Sequence, residues 1–71
     1  MDETSSTVLS FKVETADAGK RLDAFLSEQI EGWSRSRLQR LIEGGDVLVN
    51  DRETKASYRL READEVEAEL T

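Results

Sequence analysis

The chain has 71 residues with 10 basic and 16 acidic side chains, so its net charge is −6 and it forms one small domain at most. It contains neither cysteine nor histidine, which excludes disulfide bridges, thiolate or imidazole zinc sites and Ser-His-Asp triads. Most classes of enzyme are therefore excluded, and with 37% apolar residues we expect an economical fold of marginal stability.

The apolar runs are too short for a membrane protein. None exceeds three residues, as in Val47-Leu48-Val49, whereas a membrane-spanning helix needs roughly 20. The acidic start, MDETSST, lacks the basic-then-apolar order of a signal peptide. We expect a cytoplasmic protein without membrane contact, in which residues 1–7 form a disordered tail.

Two different apolar periods predict the first two elements. Apolar and polar residues alternate over positions 8–14, which is typical of a half-buried strand. A stripe at helical spacing then predicts a helix over residues 18–30, with Asp17 as its N-cap. This stripe consists of Leu22, Phe25, Leu26 and Ile30.

A second helix is predicted over residues 34–43. Ser34 is its expected N-cap, and Trp33 is placed to pack against Leu38 as a hydrophobic staple. Gly44-Gly45 then offers the left-handed backbone conformations that commonly end a helix. The two short helices are therefore joined by a tight link.

Basic residues are concentrated in the middle of the chain. Residues 34–61 carry seven basic and four acidic side chains, whereas the segments on either side are acidic. At about 100° per residue, the core positions of the second helix lie on one arc and its arginines lie outside it. These arginines are Arg35, Arg37 and Arg40. The pattern predicts a positive outer face that suits a negatively charged partner.

The remaining elements are short. Residues 47–49 predict a second strand, and Asn50-Asp51 predicts a tight turn because both residue types tolerate positive φ. Residues 52–61 are predicted as a short strand or an extended link, and residues 66–70 form a last strand after a turn at 62–64. Five acidic residues are expected to lie exposed along this end rather than to bind a metal: Glu62, Asp64, Glu65, Glu67 and Glu69.

Residues 21–70 resemble an S-four-type RNA-binding domain, the module named for the fourth small-subunit ribosomal protein. The resemblance rests on Arg21-Leu22-Asp23, Ser34-Arg35-Ser36, Gln39, Leu41-Ile42, Gly45, Val47, Val49-Asn50 and Lys55. The stretch FKVETADAGKRLD is similar to the N-terminal extension of the large-subunit-type ribosomal pseudouridine synthases. The resemblance implies an α+β fold in which two short helices pack on a small antiparallel sheet, the alpha-L-like RNA-binding fold.

The resemblance also implies which residues contact RNA. They are Arg35, Arg37, Gln39, Arg40 and Lys55. Two positions depart from the family pattern, because Asp51 and Ala63 stand where glycine is common. Asp51 adds a negative charge beside the expected phosphate-binding surface.

Three residues invite a functional reading that we do not favour. Arg21-Leu22-Asp23 spells the catalytic motif of those synthases, but Leu22 belongs to a core stripe, so we expect Asp23 to be a first-turn helix acid. Trp33 and Tyr58 could stack on bases, but their positions favour packing against the core.

We therefore expect residues 8–71 to be a single RNA-binding domain, the N-terminal fragment of a longer enzyme. It would recognise folded ribosomal RNA by backbone and shape and position a pseudouridine synthase domain absent from this chain. We expect a monomer with no cofactor, no metal, no small-molecule substrate and no activity of its own. Three alternatives stay open: a protein-interaction module using the basic helix face, a stand-alone ribosome-binding protein, and a helix-turn-helix DNA binder.

Overall fold

The computed structural model describes residues 7–70, in which two helices pack on one face of a four-stranded antiparallel sheet. The elements in chain order are β1 (Thr7–Lys12), a 3₁₀ helix (Thr15–Asp17), α1 (Leu22–Gln29), α2 (Arg35–Glu43), β2 (Val47–Val49), β3 (Arg52–Glu53) and β4 (Glu65–Leu70). The strand order is β1-β4-β2-β3, and the predicted α+β class is confirmed. Residues 1–6 of the predicted tail lie outside the described residues, whereas Thr7 belongs to β1.

The sheet separates an apolar face from a charged one. On the central strand β4, Val66 and Ala68 are fully buried, while Glu65, Glu67 and Glu69 alternate with them and are exposed. Because side chains alternate across a strand, the apolar set faces the helices and the glutamates face away from them. This is the alternation that the sequence predicts for the last strand.

Helix α1 begins four residues later than predicted, at Leu22 rather than residue 18. The intervening backbone pairs with the segment before β4 instead: the Gly19 N–H donates to the Leu60 carbonyl at 2.7 Å, and the Leu22 N–H donates to the Tyr58 carbonyl at 2.8 Å. Gly19 adopts φ +91°, which a helix does not allow. Asp17 lies in the 3₁₀ helix and caps nothing in α1.

Helix α2, Arg35–Glu43, confirms the helix predicted over residues 34–43. The Ser34 hydroxyl accepts a hydrogen bond from the Arg37 N–H at 3.2 Å, as expected of an N-cap. At the other end only Gly45 is left-handed, with φ +87°, whereas Gly44 stays right-handed with φ −80°. One left-handed residue is enough to end a helix, so the expectation for Gly44 was wrong.

Between Thr7 and Leu70, three residues other than glycine adopt positive φ. Asn50 and Asp51, with φ of 54° and 67°, form the two-residue turn between β2 and β3, which confirms the predicted turn. Ala63, with φ 75°, is in the turn before β4. Its methyl group makes this conformation unfavourable, and Ala63 occupies a position where the resemblance to S-four-type domains implies glycine.

Asp64 corrects one expectation, because it is buried rather than exposed with its acidic neighbours. Its carboxylate accepts hydrogen bonds from the Asn50 amide at 3.0 Å, the Tyr58 hydroxyl at 3.0 Å and the Arg61 N–H at 2.9 Å. Tyr58, whose hydroxyl makes one of these hydrogen bonds, lies half-buried against the core, as expected. Asp64 therefore ties the β2–β3 turn to the start of β4.

Candidate nucleic-acid interface

The centre of the candidate site is a fully buried carboxylate, that of Asp23 in the first turn of α1. Arg21 donates to it twice, from Nε to Oδ1 and from Nη2 to Oδ2, both at 3.1 Å. From α2, Gln39 Nε2 donates to Oδ2 at 2.7 Å and Arg35 Nη2 donates to the same oxygen at 3.3 Å. The Ala24 N–H completes the set at 2.8 Å. One carboxylate thus joins the start of α1 to one side of α2.

These contacts keep Asp23 ionised. Burial by itself would raise the pKa of this carboxyl, because it penalises the charged form. The hydrogen bonds from Gln39, Arg21 and Arg35 outweigh that effect and hold the pKa below its ordinary value. The site therefore contains one buried negative charge beside two guanidinium groups, and the net charge of these three groups is positive.

Both guanidinium groups remain accessible to a ligand. The Arg21 side chain is 41% exposed and the Arg35 side chain is 50% exposed, although each contacts a carboxylate with no exposure at all. An arginine carries five N–H donors in a fixed fork, and Asp23 uses two from Arg21 and one from Arg35. The remaining donors suit the oxygens of a phosphate group.

A shallow groove of about 520 Å³ runs beside this cluster, between α2 and the segment after β3. Its lining has two basic side chains, Arg21 and Lys55, and two acidic ones, Glu43 and Glu53, beside the polar residues Gln39, Thr54 and Ser57. The Asp23 N–H donates to the Ala56 carbonyl at 3.2 Å, which holds the Lys55 segment close to the start of α1. Lys55 therefore lines the same groove as Gln39 and Ile42 of α2.

The other two predicted arginines lie farther around α2. Arg37 and Arg40 are exposed, and the Arg37 guanidinium carbon lies 4.1 Å from the centre of the Trp33 ring. This cation–π contact restricts Arg37, while Trp33 itself packs partly against the core, as expected. The five predicted residues thus divide into Gln39 and Lys55 in the groove, Arg35 anchored on Asp23, and two outer arginines. Their contact with RNA stays a prediction.

The opposite face of the molecule has the opposite charge. A second groove, of about 390 Å³, lies on the sheet surface that faces away from the helices. Its lining includes Asp51, Glu65 and Glu67 beside a single lysine, Lys12. Asp51 lines this groove and not the groove beside α2, which corrects the expectation that its charge lies beside the phosphate-binding surface. The groove beside α2 has as many basic as acidic side chains in its lining and adjoins the exposed arginines of α2, whereas acidic side chains are in excess in the groove on the sheet. Carboxylates repel phosphate, so among the described surfaces the groove beside α2 is the better nucleic-acid candidate.

Sequence reasoning missed the part played by Arg21 and Asp23. A signal was present, because on a helix Asp23 falls about 20° from Ile30 and hence at the edge of the apolar stripe. A carboxylate in that position is buried and needs donors. Which residues supply them depends on how α2 packs across α1, and the spacing of residues along the chain does not give that information.

A family model described as S4 domain matches residues 20–66. Ribosomal large subunit pseudouridine synthase C of Escherichia coli (strain K12) is 43% identical over 53 residues, 73% of this chain and 17% of that protein. The enzyme of the same name from Salmonella typhi is 33% identical over 66 residues, 93% of this chain and 21% of that protein.

A further relative is called an uncharacterized RNA pseudouridine synthase, from Chlorobaculum parvum. It is 33% identical over 58 residues, which are 82% of this chain and 18% of the relative. The chain therefore spans about a fifth of the length of the curated relatives it matches. Within residues 7–70, neither helix is long or apolar enough to cross a membrane.

Proposed function

This chain belongs to the S4 domain family, and from that premise we propose that it binds folded ribosomal RNA through α2 and the groove beside it. S4 domains are generally RNA-binding. Ribosomal RNA is the target class that the names of the relatives suggest. The proposal assigns RNA contact to the five predicted residues and adds Arg21: Arg35, Arg37, Gln39, Arg40, Lys55 and Arg21.

The observation that carries the proposal is the arrangement of cations around a buried anion. Asp23 holds Arg21, which precedes α1, and Arg35, the first residue of α2. Gln39 and Lys55 line the groove beside them. A phosphate backbone is recognised by such cationic groups at fixed positions, largely without regard to sequence. Folded RNA presents mainly phosphates and 2′-hydroxyls to a protein, so we expect recognition of shape and backbone rather than of bases.

We further propose that this domain positions a pseudouridine synthase domain in a longer protein. The relatives are named as pseudouridine synthases, and this chain matches about a fifth of their length. The chain itself would have no catalytic activity, and we take it to act as a monomer in the cytoplasm. Binding to RNA would raise the local concentration of a tethered enzyme at its substrate without any new contact in the active site.

The test is RNA binding across a salt series. The probe is a set of unmodified transcripts that cover large-subunit ribosomal RNA, and the variant replaces Arg35, Arg37 and Arg40 with alanine. A matched control replaces Lys12, Arg59 and Arg61, which are exposed basic residues outside α2. Because phosphate contacts release counterions, log affinity should fall linearly with log salt for the wild type.

We expect the slope for the α2 variant to shrink by about 1 for each phosphate contact removed, and the control to keep a slope near that of the wild type. Equal slopes for the two variants would contradict the proposal. Tighter binding to duplex DNA at equal salt would favour a DNA-binding role. Retention of a protein partner after nuclease treatment, together with no RNA binding, would favour a protein-interaction module.

A further inference from the structure

We propose that Asp23 is a positioning residue of the RNA interface, which sets Arg21, Arg35 and Gln39 in the orientation that receives an RNA phosphate. This inference rests on the proposed function and deepens it. The ligand class is a phosphodiester of folded RNA, bound at the end of the groove beside α2. Asp23 itself is fully buried and acts through the three side chains that it holds.

The geometry distinguishes Asp23 from an ordinary first-turn acid. An acid that only complements the helix dipole would interact with the backbone N–H groups of its own helix, as Asp23 does with Ala24 at 2.8 Å. Asp23 also accepts four side-chain hydrogen bonds from three residues, one just before α1 and two on α2, at distances from 2.7 to 3.3 Å. Arg35 and Gln39 come from the helix that carries the candidate interface.

Anchoring matters because arginine and glutamine side chains lose rotamer freedom when they bind a ligand. In this protein part of that freedom is already lost in the unbound state, through contact with Asp23. A phosphate then meets guanidinium groups that are fixed in advance. Releasing the three side chains should weaken RNA binding by about tenfold, since each immobilised side chain accounts for a few-fold in affinity.

A positioning role for Asp23 and simple electrostatics predict opposite effects of the same substitution on RNA affinity. Replacing Asp23 with asparagine removes a negative charge next to the proposed phosphate site. If charge alone decided the outcome, the variant would bind RNA more tightly than the wild type. If Asp23 positions the donors, the variant binds more weakly even though the site is more positive.

The experiment compares Asp23→Asn with Glu43→Gln, using the large-subunit ribosomal RNA transcripts as the probe. Glu43 is an exposed acid that lines the same groove, so its replacement makes the same change in charge. We expect Asp23→Asn to bind about tenfold more weakly than the wild type and Glu43→Gln to bind equally or more tightly. An Asp23→Asn variant that binds as tightly as Glu43→Gln would overturn the inference.

A second measurement separates positioning from a loss of stability. The Asp23→Asn change is repeated in an Arg35→Ala background and in an Arg40→Ala background. Arg35 contacts Asp23, whereas Arg40 is exposed farther along the same helix. The loss of affinity should shrink when Arg35 is absent and stay complete when Arg40 is absent. Equal losses in the two backgrounds would contradict action through Arg35.

A third measurement uses the wild-type chain, so it holds even if Asp23→Asn does not fold. Nitrogen relaxation of the arginine Nε–H groups reports side-chain order on the picosecond to nanosecond timescale. We expect the Nε–H of Arg21, which donates to Asp23 at 3.1 Å, to be more ordered than that of Arg40. Equal disorder in RNA-free protein would overturn the inference.

The two proposals fail in different ways. A wild-type chain that does not bind the transcripts even at low salt would remove both of them. A wild-type chain that binds through α2, combined with an Asp23→Asn variant that binds as tightly as Glu43→Gln, would remove only the positioning role of Asp23.

Discussion

Two carboxylates, those of Asp23 and Asp64, are buried among the described residues, and each is satisfied in a different way. An ionised group without partners in such a place would cost several kcal/mol. Asp23 has cationic donors from Arg21 and Arg35 and lies at the candidate interface. Asp64 accepts side-chain hydrogen bonds only from the neutral donors Asn50 and Tyr58, and it fixes a turn. Asp23 therefore fixes side chains at the candidate interface, whereas Asp64 fixes a turn of the fold.

Acid should destabilise the protein through these two groups. Burial raises the pKa of each carboxyl, but the hydrogen bonds prevail and the folded-state pKa lies below its ordinary value in both. A depressed pKa adds stability that is complete above the unfolded pKa, about 3.9, and is lost as pH falls through the folded value. We expect the free energy of unfolding in urea to fall steadily below about pH 4.

The same titration on Asp64→Asn provides the control for acid destabilisation. This variant lacks one of the two groups, so its free energy of unfolding should depend less on pH over the acidic range. A wild-type free energy that stays constant down to pH 2.5, or a variant with the full wild-type dependence, would contradict this reading of the two aspartates.

Replacing Ala63 with glycine should stabilise the fold. Ala63 is exposed and has φ 75°, which is unfavourable for a residue with a Cβ atom. Glycine relieves that cost but increases the entropy of the unfolded chain, so the net gain is about 0.5–1 kcal/mol. Urea denaturation measures the change. Ala16→Gly, at an exposed position without positive φ, should destabilise instead. A loss of stability in Ala63→Gly would refute the argument.

At the scale of elements, α2 could be predicted from the sequence because every signal that defines it is local. Ser34 caps it, Leu38 and Leu41 are buried, and Gly45 ends it. The start of α1 could not be predicted, because it depends on backbone hydrogen bonds to residues that are distant in the chain. Gly19 and Leu22 donate hydrogen bonds to residues 58–60, which are some 40 residues away in the chain. Local helix propensity does not show that these hydrogen bonds replace the first turn of the predicted helix.

The same distinction applies to the candidate site. The exposed arginines of α2 follow from its helical period, and that part of the surface was predictable. The network around Asp23 joins two helices, and the carboxylate of Asp64 joins two turns. Each was missed because its hydrogen-bond partners come from different elements, and their meeting is a result of tertiary packing.

The Ser34 N-cap of α2 should contribute measurably to the free energy of unfolding. Replacing Ser34 with alanine removes the oxygen that accepts the Arg37 N–H, and we expect a loss of about 1 kcal/mol. Ser36→Ala, at an exposed position inside the same helix, should change stability little or increase it slightly, since alanine favours helix. Thermal or urea unfolding distinguishes the two variants. Equal effects would show that the Ser34 cap does not stabilise α2.

At the scale of the whole molecule, charge is divided between two faces. Basic side chains outnumber the exposed acids Glu43 and Glu53 at α2 and its groove, while the glutamates of β4 cover the outer face of the sheet. The shortest extent of the molecule is 21 Å, about twice the Debye length of roughly 10 Å at 0.1 M salt. The acidic face should therefore repel RNA from the basic face only when the salt concentration is low.

This separation predicts a salt-dependent effect of the outer glutamates. Replacing Glu65, Glu67 and Glu69 with glutamine should speed RNA association at about 0.01 M salt, where the Debye length is about 30 Å. At about 0.15 M the association rate should equal that of the wild type. Stopped-flow association at both salt concentrations measures the effect. A large change at the higher concentration would mean that the glutamates contact RNA directly.

The most direct test of the central claim, that RNA binds at α2 and its groove, is a map of amide chemical shifts. Labelled protein is titrated with a ribosomal RNA fragment that binds it in the salt series. We expect the largest shifts at residues 34–40 and 53–57, which lie on α2 and along the groove. The exposed positions of β4 should shift little. Shifts concentrated on β4 and β1, with α2 unaffected, would contradict the account.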